Sequence, residues 1–391
     1  MLRLGSIPLL ALSLLPACDS GSGGSAWDDA DFTAEASEAV EGYVHVVTAN
    51  YGDTVTAAKA MQSDIRAFLS APSEASLQRA RAAWLAAREV YGQTEVYRFY
   101  GGPIDDEQNN YEGLINSWPL DEVYIDYVEG DPEGGIINDL GKQIDRATLI
   151  ELNGAGGEDD ISTGWHAIEF LLWGQDLSAD GPGARPYTDY VTDGTGTAKN
   201  QDRRAAYLEI VTMLLVEHLT AVDAAWAESA AYHDEFERGD PKESLTKILL
   251  GMGSLSGAEL SGERMTVAFD TREQEDEHSC FSDSTHRDLY NNALGIENVY
   301  LASYGGKALG VSVSALVAAR DAELDQTLRT QLRASVEAIA AIPPPFDQAI
   351  LAPDGDPARE AVSAAIAALK AQTKTIAEVA TLLDITLNLE E

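Results

Sequence analysis

Apolar residues recur every three or four positions through most of this chain, and the alternation typical of strands is almost absent. The spacing predicts a proline-free helix over residues 33–69, ended by Pro72. Ser73 is placed to cap the next helix, which runs to about residue 100 and carries Trp84 within an alanine-rich face. Further helices are expected over 200–229, from Pro241 onward with Leu245, Ile248, Leu249 and Met252 on one face, over 311–342 and over 357–385. Helices of this length with short joins build bundles, so the fold class is all-α. Residues 101–135 and 174–199 are irregular, and long loops in compact domains tend to carry function. The first of them holds Tyr, Trp, Ile and Leu at intervals and is expected to be packed.

Two internal echoes add to this pattern. The stretch Gly164 to Gly174 matches Gly295 to Gly305 in length, with glycines at both ends, and Glu297 and Tyr300 stand where the first copy has His166 and Glu169. A shorter echo pairs residues 93–98, with Glu95 and Arg98, with residues 257–264, with Glu259 and Arg264. The expectation is two related four-helix-type bundles from a duplication: a first half over 31–200, containing the long irregular loop, and a second over 201–391.

The N-terminus reads as an address. A short basic start and an apolar run from Ile7 to Leu15 precede Leu15-Pro16-Ala17-Cys18, which resembles a bacterial lipobox. Residues 1–18 are then a lipoprotein signal peptide, Cys18 the lipidated residue, and 19–30 a flexible tether rich in Gly and Ser. Membrane contact is expected through that lipid alone, with the protein in the bacterial envelope facing periplasm or exterior. Lipidation of Cys18 leaves Cys280 as the one remaining cysteine, so the fold is held by packing rather than a disulfide. A formal net charge of −39, from 26 basic and 65 acidic residues, argues against nucleic acid as a partner and concentrates cations near the surface.

Candidate chemistry centres on His166 and Glu169, three residues apart in an apolar helix. Side chains at i and i+3 share a face and can converge on one metal ion. With six His and 65 acids, about one such pair is expected by chance, so the spacing also fits a buried His bonded to a neighbouring acid. The H-E-x-x-H of zinc peptidases is absent, and two ligands fall short of a catalytic zinc set. Further ligands could come from Glu95, Asp105 or Asp121, and Arg98 lies one turn from Glu95. Glu275 and His278 form another spaced pair, but within a charged run that reads as exposed surface. Mixed imidazole and carboxylate ligands suit Fe or Zn.

Together these residues resemble the imelysin-like family, which spans insulin-cleaving membrane proteases and the iron-regulated protein A group. Gly164, His166 and Glu169 meet its G-x-H-x-x-E hallmark, and residues 81–84, 93–98, 102–105, 116–122, 262–265 and 277–286 are similar to its other motifs. The resemblance implies two four-helix-type bundles with a site in the cleft between them. It implies an envelope protein of iron uptake that binds a divalent metal, Fe or Zn, through His166 and Glu169, with iron-uptake proteins as partners. It also carries a metallopeptidase alternative, with Glu169 and Arg98 as catalytic groups. A third reading is a binder of an organic chelate or polysaccharide, with Trp118, Trp165 and Trp173 as stacking surfaces.

Overall fold

The computed structural model describes residues 26–178 and 180–389. Cys18, the signal peptide and the start of the tether lie outside the described residues. Eight longer helices dominate: α1 Ala30–Ser70, α2 Glu74–Tyr91, α3 Gly164–Trp173, α4 Gln201–Ala225, α5 Pro241–Ser254, α6 Thr285–Leu301, α7 Ala322–Ala340 and α8 Pro357–Leu382. Among the described residues the only paired strands are a two-residue hairpin, Ser303–Tyr304 with Lys307–Ala308.

Helix ends follow the local chemistry. The Asp29 carboxylate accepts from the Asp31 amide to start α1, and Ser73 and Ser76 form a capping box at α2. The helix expected over 311–342 is broken, because the Asp321 side chain accepts from the Glu323 and Leu324 amides and starts a new helix there. The helix expected to reach residue 100 stops as an α-helix at Tyr91 and tightens into a 3₁₀ turn over Gly92–Tyr97. Beyond α5 the chain widens into a π-helix over Leu255–Val267, a form associated with functional sites.

Packing closes two rings of four. In the first, α1 contacts α2 and α4, and α3 joins α2 to α4; in the second, α5 with its π extension meets α8, α8 meets α7, α7 meets α6, and α6 returns to the π-helix. A contiguous apolar core, including Trp84, Tyr97, Trp165, Leu215, Met252 and Leu369, runs through both. The rings touch where α6 presses on the 3₁₀ turn. Gly295 permits that approach, since a Cβ there would sit 2.6 Å from the Gln93 carbonyl oxygen.

Candidate functional site

Short α3 is buried along its whole length. Its first residue, Gly164, has φ +88° and lies so near the 111–115 turn that a Cβ would stand 2.5 Å from the Ile115 carbonyl oxygen. Only glycine fits there, which explains the first letter of the G-x-H-x-x-E pattern. Trp165 and Trp173 pack edge-on against Trp84 at 6.2 and 5.3 Å between ring centres; they are core, not stacking surfaces open to a ligand.

The same helix carries the polar pair. His166 Nδ1 lies 3.0 Å from Glu169 Oε2, and the two residues are 1% and 0% exposed. The other oxygen of Glu169 accepts from the Ser282 amide at 2.9 Å and the Ser282 hydroxyl at 2.6 Å. Both carboxyl oxygens are therefore engaged, whereas His166 Nε2 is buried with no hydrogen-bond partner. Burial, with no guanidinium bonded to it, pushes the Glu169 carboxyl up to about 8. Burial, reinforced by Arg88, pushes His166 down to about 3. The imidazole is therefore neutral at pH 7, and the contact is a hydrogen bond rather than an ion pair.

A second imidazole faces the first. The His278 ring lies 4.7 Å from that of His166, at 73°. It is 2% exposed, so the charged run that contains it is not all surface. Glu275 is exposed and the segment from it to His278 is not a continuous helix, so the spaced pair does not form. Instead, His278 Nδ1 lies 2.9 Å from Asp288 Oδ2. Burial, then Arg264, pushes His278 down to about 3. Half-buried Trp118 covers this ring at 5.9 Å. Each imidazole thus has Nδ1 anchored on a carboxyl group, one from each ring of helices.

A buried ionic network supports the pair. Arg88 donates to both oxygens of Asp288, at 3.2 and 2.7 Å, and to Asn116 Oδ1 at 2.6 Å. Glu95 receives Arg264 at 2.7 Å and Arg98 at 2.9 Å. Arg264 also donates to Glu259 and Asn292, both at 2.7 Å, and Arg98 meets Glu112 at 3.0 Å. The shorter sequence echo thus converges in space: Glu95 and Arg98 from one copy meet Glu259 and Arg264 from the other. Burial opposes the charge on Glu95 and on Asp288, but the guanidinium groups outweigh it and hold both well below the usual carboxylate range.

The sequence candidates separate accordingly. His166 and Glu169 are together, and Glu95 and Arg98 belong to the supporting network, with the Glu95 oxygens taken up by guanidinium and amide donors. Asp105 accepts from the Tyr100 amide at 3.3 Å, and Arg98 is the cation that acts most on it. Asp121 caps the short helix Glu122–Ile125 through the Val123 amide, where the acids nearest in effect are Asp159 and Asp160. Sequence reasoning had not placed Arg88, Asn116, Ser282 or Asp288 at the site. Their signal was weak because an Arg or Asp on an amphipathic helix is usually surface.

The chain matches the family model described as Imelysin (Peptidase_M75) over residues 47–376. It belongs to the imelysin family. It is 25% identical over 345 residues to Iron-regulated protein A of Synechococcus elongatus, covering 85% of this imelysin and 83% of that protein. A crystal structure assigned as an iron-regulated protein A precursor from Parabacteroides distasonis shares the fold, with TM-score 0.68 at 20% identity over 93% of this chain and 97% of that one. An imelysin-like protein from Psychrobacter arcticum gives TM-score 0.63 at 14% identity over 91% and 98%.

Proposed function

We propose that this imelysin is an envelope protein, tethered by a lipid on Cys18, that takes up a single metal ion as cargo, iron first and zinc second, between its two helical rings. The observation that carries the reading is His166 Nε2, a buried imidazole nitrogen without a partner. Metal-binding imidazoles have their other nitrogen fixed by a carboxylate or carbonyl, and Glu169 holds Nδ1 in that way. In this reading His166 contacts the ion, His278 offers the second nitrogen, and Glu169 and Asp288 orient the two rings. The name of the Synechococcus relative, Iron-regulated protein A, supports iron as the cargo and uptake as the role, with iron-uptake proteins as partners.

The local charge is compatible with a cation. Arg88, Arg98 and Arg264 face Glu95, Glu112, Glu259 and Asp288, three positive against four negative, a net of −1. Among the described residues no three His, Cys, Asp or Glu side chains already surround one point. The protein thus supplies the imidazole pair, and water or the donor that delivers the ion completes the shell. Burial of both rings favours a bare ion over an organic chelate or polysaccharide. It also favours binding over peptidase action, which needs a polypeptide to reach the reacting groups.

Calorimetric titration of metal-free protein with Fe(II) and with Zn(II) tests this reading. One site per chain is expected, with affinity at least tenfold lower in His166→Ala and in His278→Ala. Unchanged binding in both variants refutes it.

A further inference from the structure

Every strongly buried acid of the ionic network has a guanidinium partner, and so has Asp126, which is held by Arg185 at 2.7 Å and by Arg204 at 2.6 Å. One group of acids departs from that rule. Asp176 follows α3, Glu277 and Asp283 lie in the segment before α6, and Asp347 opens the short helix Phe346–Leu351. Glu277 and Asp347 are only 1% and 2% exposed. Glu277 Oε1 and Asp347 Oδ1 are buried without any hydrogen-bond partner. The charges that act most on Glu277 are those of Asp347, Asp283 and Asp176, all acids. Those acting on Asp283 are Asp176, Asp347 and Glu169, again all acids. The Asp176 and Asp283 carboxyl groups bond to each other, and Gln274 donates to Asp176.

Orphaned carboxylate oxygens inside a like-charged group are costly, and a chain of net charge −39 has few spare cations to supply. We propose that Asp176, Glu277, Asp283 and Asp347 form a calcium site, separate from the imidazole pair. The donor set is all oxygen, with no imidazole or thiol, which selects a hard cation. Calcium accepts six to eight oxygens in flexible geometry at about 2.3–2.6 Å, whereas magnesium demands a tight octahedron. Three separate chain segments contribute, and among the described residues the four acids do not yet surround one point at coordinating distance. The proton that Asp176 and Asp283 share in their mutual hydrogen bond is what the ion replaces as it draws the four acids together.

The site has a second consequence. The segment 277–283 carries His278 and also Ser282, which holds Glu169. A cation joining Glu277 and Asp283 to Asp176 and Asp347 pins that segment at both ends of its turn. It acts as a structural clamp on the wall of the imidazole pair, without touching it.

The test is calcium titration of the chelator-treated full chain by calorimetry, paired with thermal unfolding at constant ionic strength and pH 7.5. One saturable calcium site with Kd in the extracellular range, on the order of 10⁻⁴–10⁻³ M, is expected, together with a rise of several degrees in Tm that magnesium does not match. Glu277→Gln and Asp347→Asn remove charge from a repelling group, so each is expected to fold as well as the parent in chelator and to bind calcium at least tenfold more weakly. Asp283→Asn serves in place of either that fails to fold. His166→Ala is expected to retain calcium binding in full. Absence of saturable heat in the parent up to 10-fold above that range, or unchanged binding in the acid variants, overturns the proposal. So does loss of the calcium heat in His166→Ala, which would move the ion to the imidazole pair.

Discussion

Cutting Arg88 back to methionine removes a guanidinium that is 2% exposed, donates to both oxygens of Asp288 and to Asn116, and lies 3.5 Å from His278 Nδ1. The aliphatic stem still fills the space against Trp84, Tyr91 and Trp165, so cavity costs are small. What remains is a buried Asp288 with only His278 and Ser279 as partners. Breaking one side of a buried pair costs about 3–5 kcal/mol, a large part of a typical total stability of about 5–15 kcal/mol. Asp288→Asn strands the guanidinium in the same way and is expected to cost about 2–4 kcal/mol. Arg88→Met with Asp288→Asn removes both charges, so its cost falls short of the sum of the singles by about 2 kcal/mol or more. Urea unfolding of the four proteins at pH 7 measures the coupling from midpoints and slopes. Because Asp288 titrates well below the usual carboxylate range, the coupling is full above the ordinary carboxylate pKa and fades as pH falls through the depressed one. A cost under about 1 kcal/mol for Arg88→Met, or an additive double variant, would show that the network is not the electrostatic scaffold described.

Glu169→Gln keeps the shape and, because burial works against charge on this carboxyl, should change stability by less than about 1.5 kcal/mol; its metal affinity by calorimetry should drop about 10–100-fold, as for other partners that orient a metal-bound imidazole. Gly164→Ala meets both a positive φ and the Ile115 carbonyl oxygen, and denaturant titration should show a loss of at least about 2 kcal/mol. Glu122 is pushed up to about 7 by burial, then by Glu275 and Asp121, so the folded protein keeps a proton that the unfolded chain loses near pH 4.5. Its contribution favours folding at low pH and is lost as pH rises from about 4.5 to about 7. Glu122→Gln should flatten that part of the stability profile by about 1 kcal/mol, once solvent screening is allowed for; an unchanged profile would show that Glu122 is not the titrating group.

Much of the fold is written locally. Helical spacing located α1, α2, α4, α5 and α8, and Ser73 capped where expected, because amphipathic periodicity and capping act within a few residues. Where local rules competed, the sequence was ambiguous: Asp321 as a helix starter and the 3₁₀ turn after Tyr91 both cut short an apolar pattern that reads as continuous. The hallmark pair was also legible, since i and i+3 on one helix meet by geometry alone. Its setting was not. His278 sits in a run of charges, and only the packing of 277–283 against α3 turns it inward beside His166. Arg88 and Asp288 are 200 residues apart, and no local spacing encodes that meeting. Sequence by itself set which segments are helices and which two groups share a face of α3; tertiary structure decided which charges are buried and what neutralises them. The physical reason is that periodicity is a short-range property of the backbone, whereas the desolvation that makes a charge consequential exists only once distant segments have closed over it.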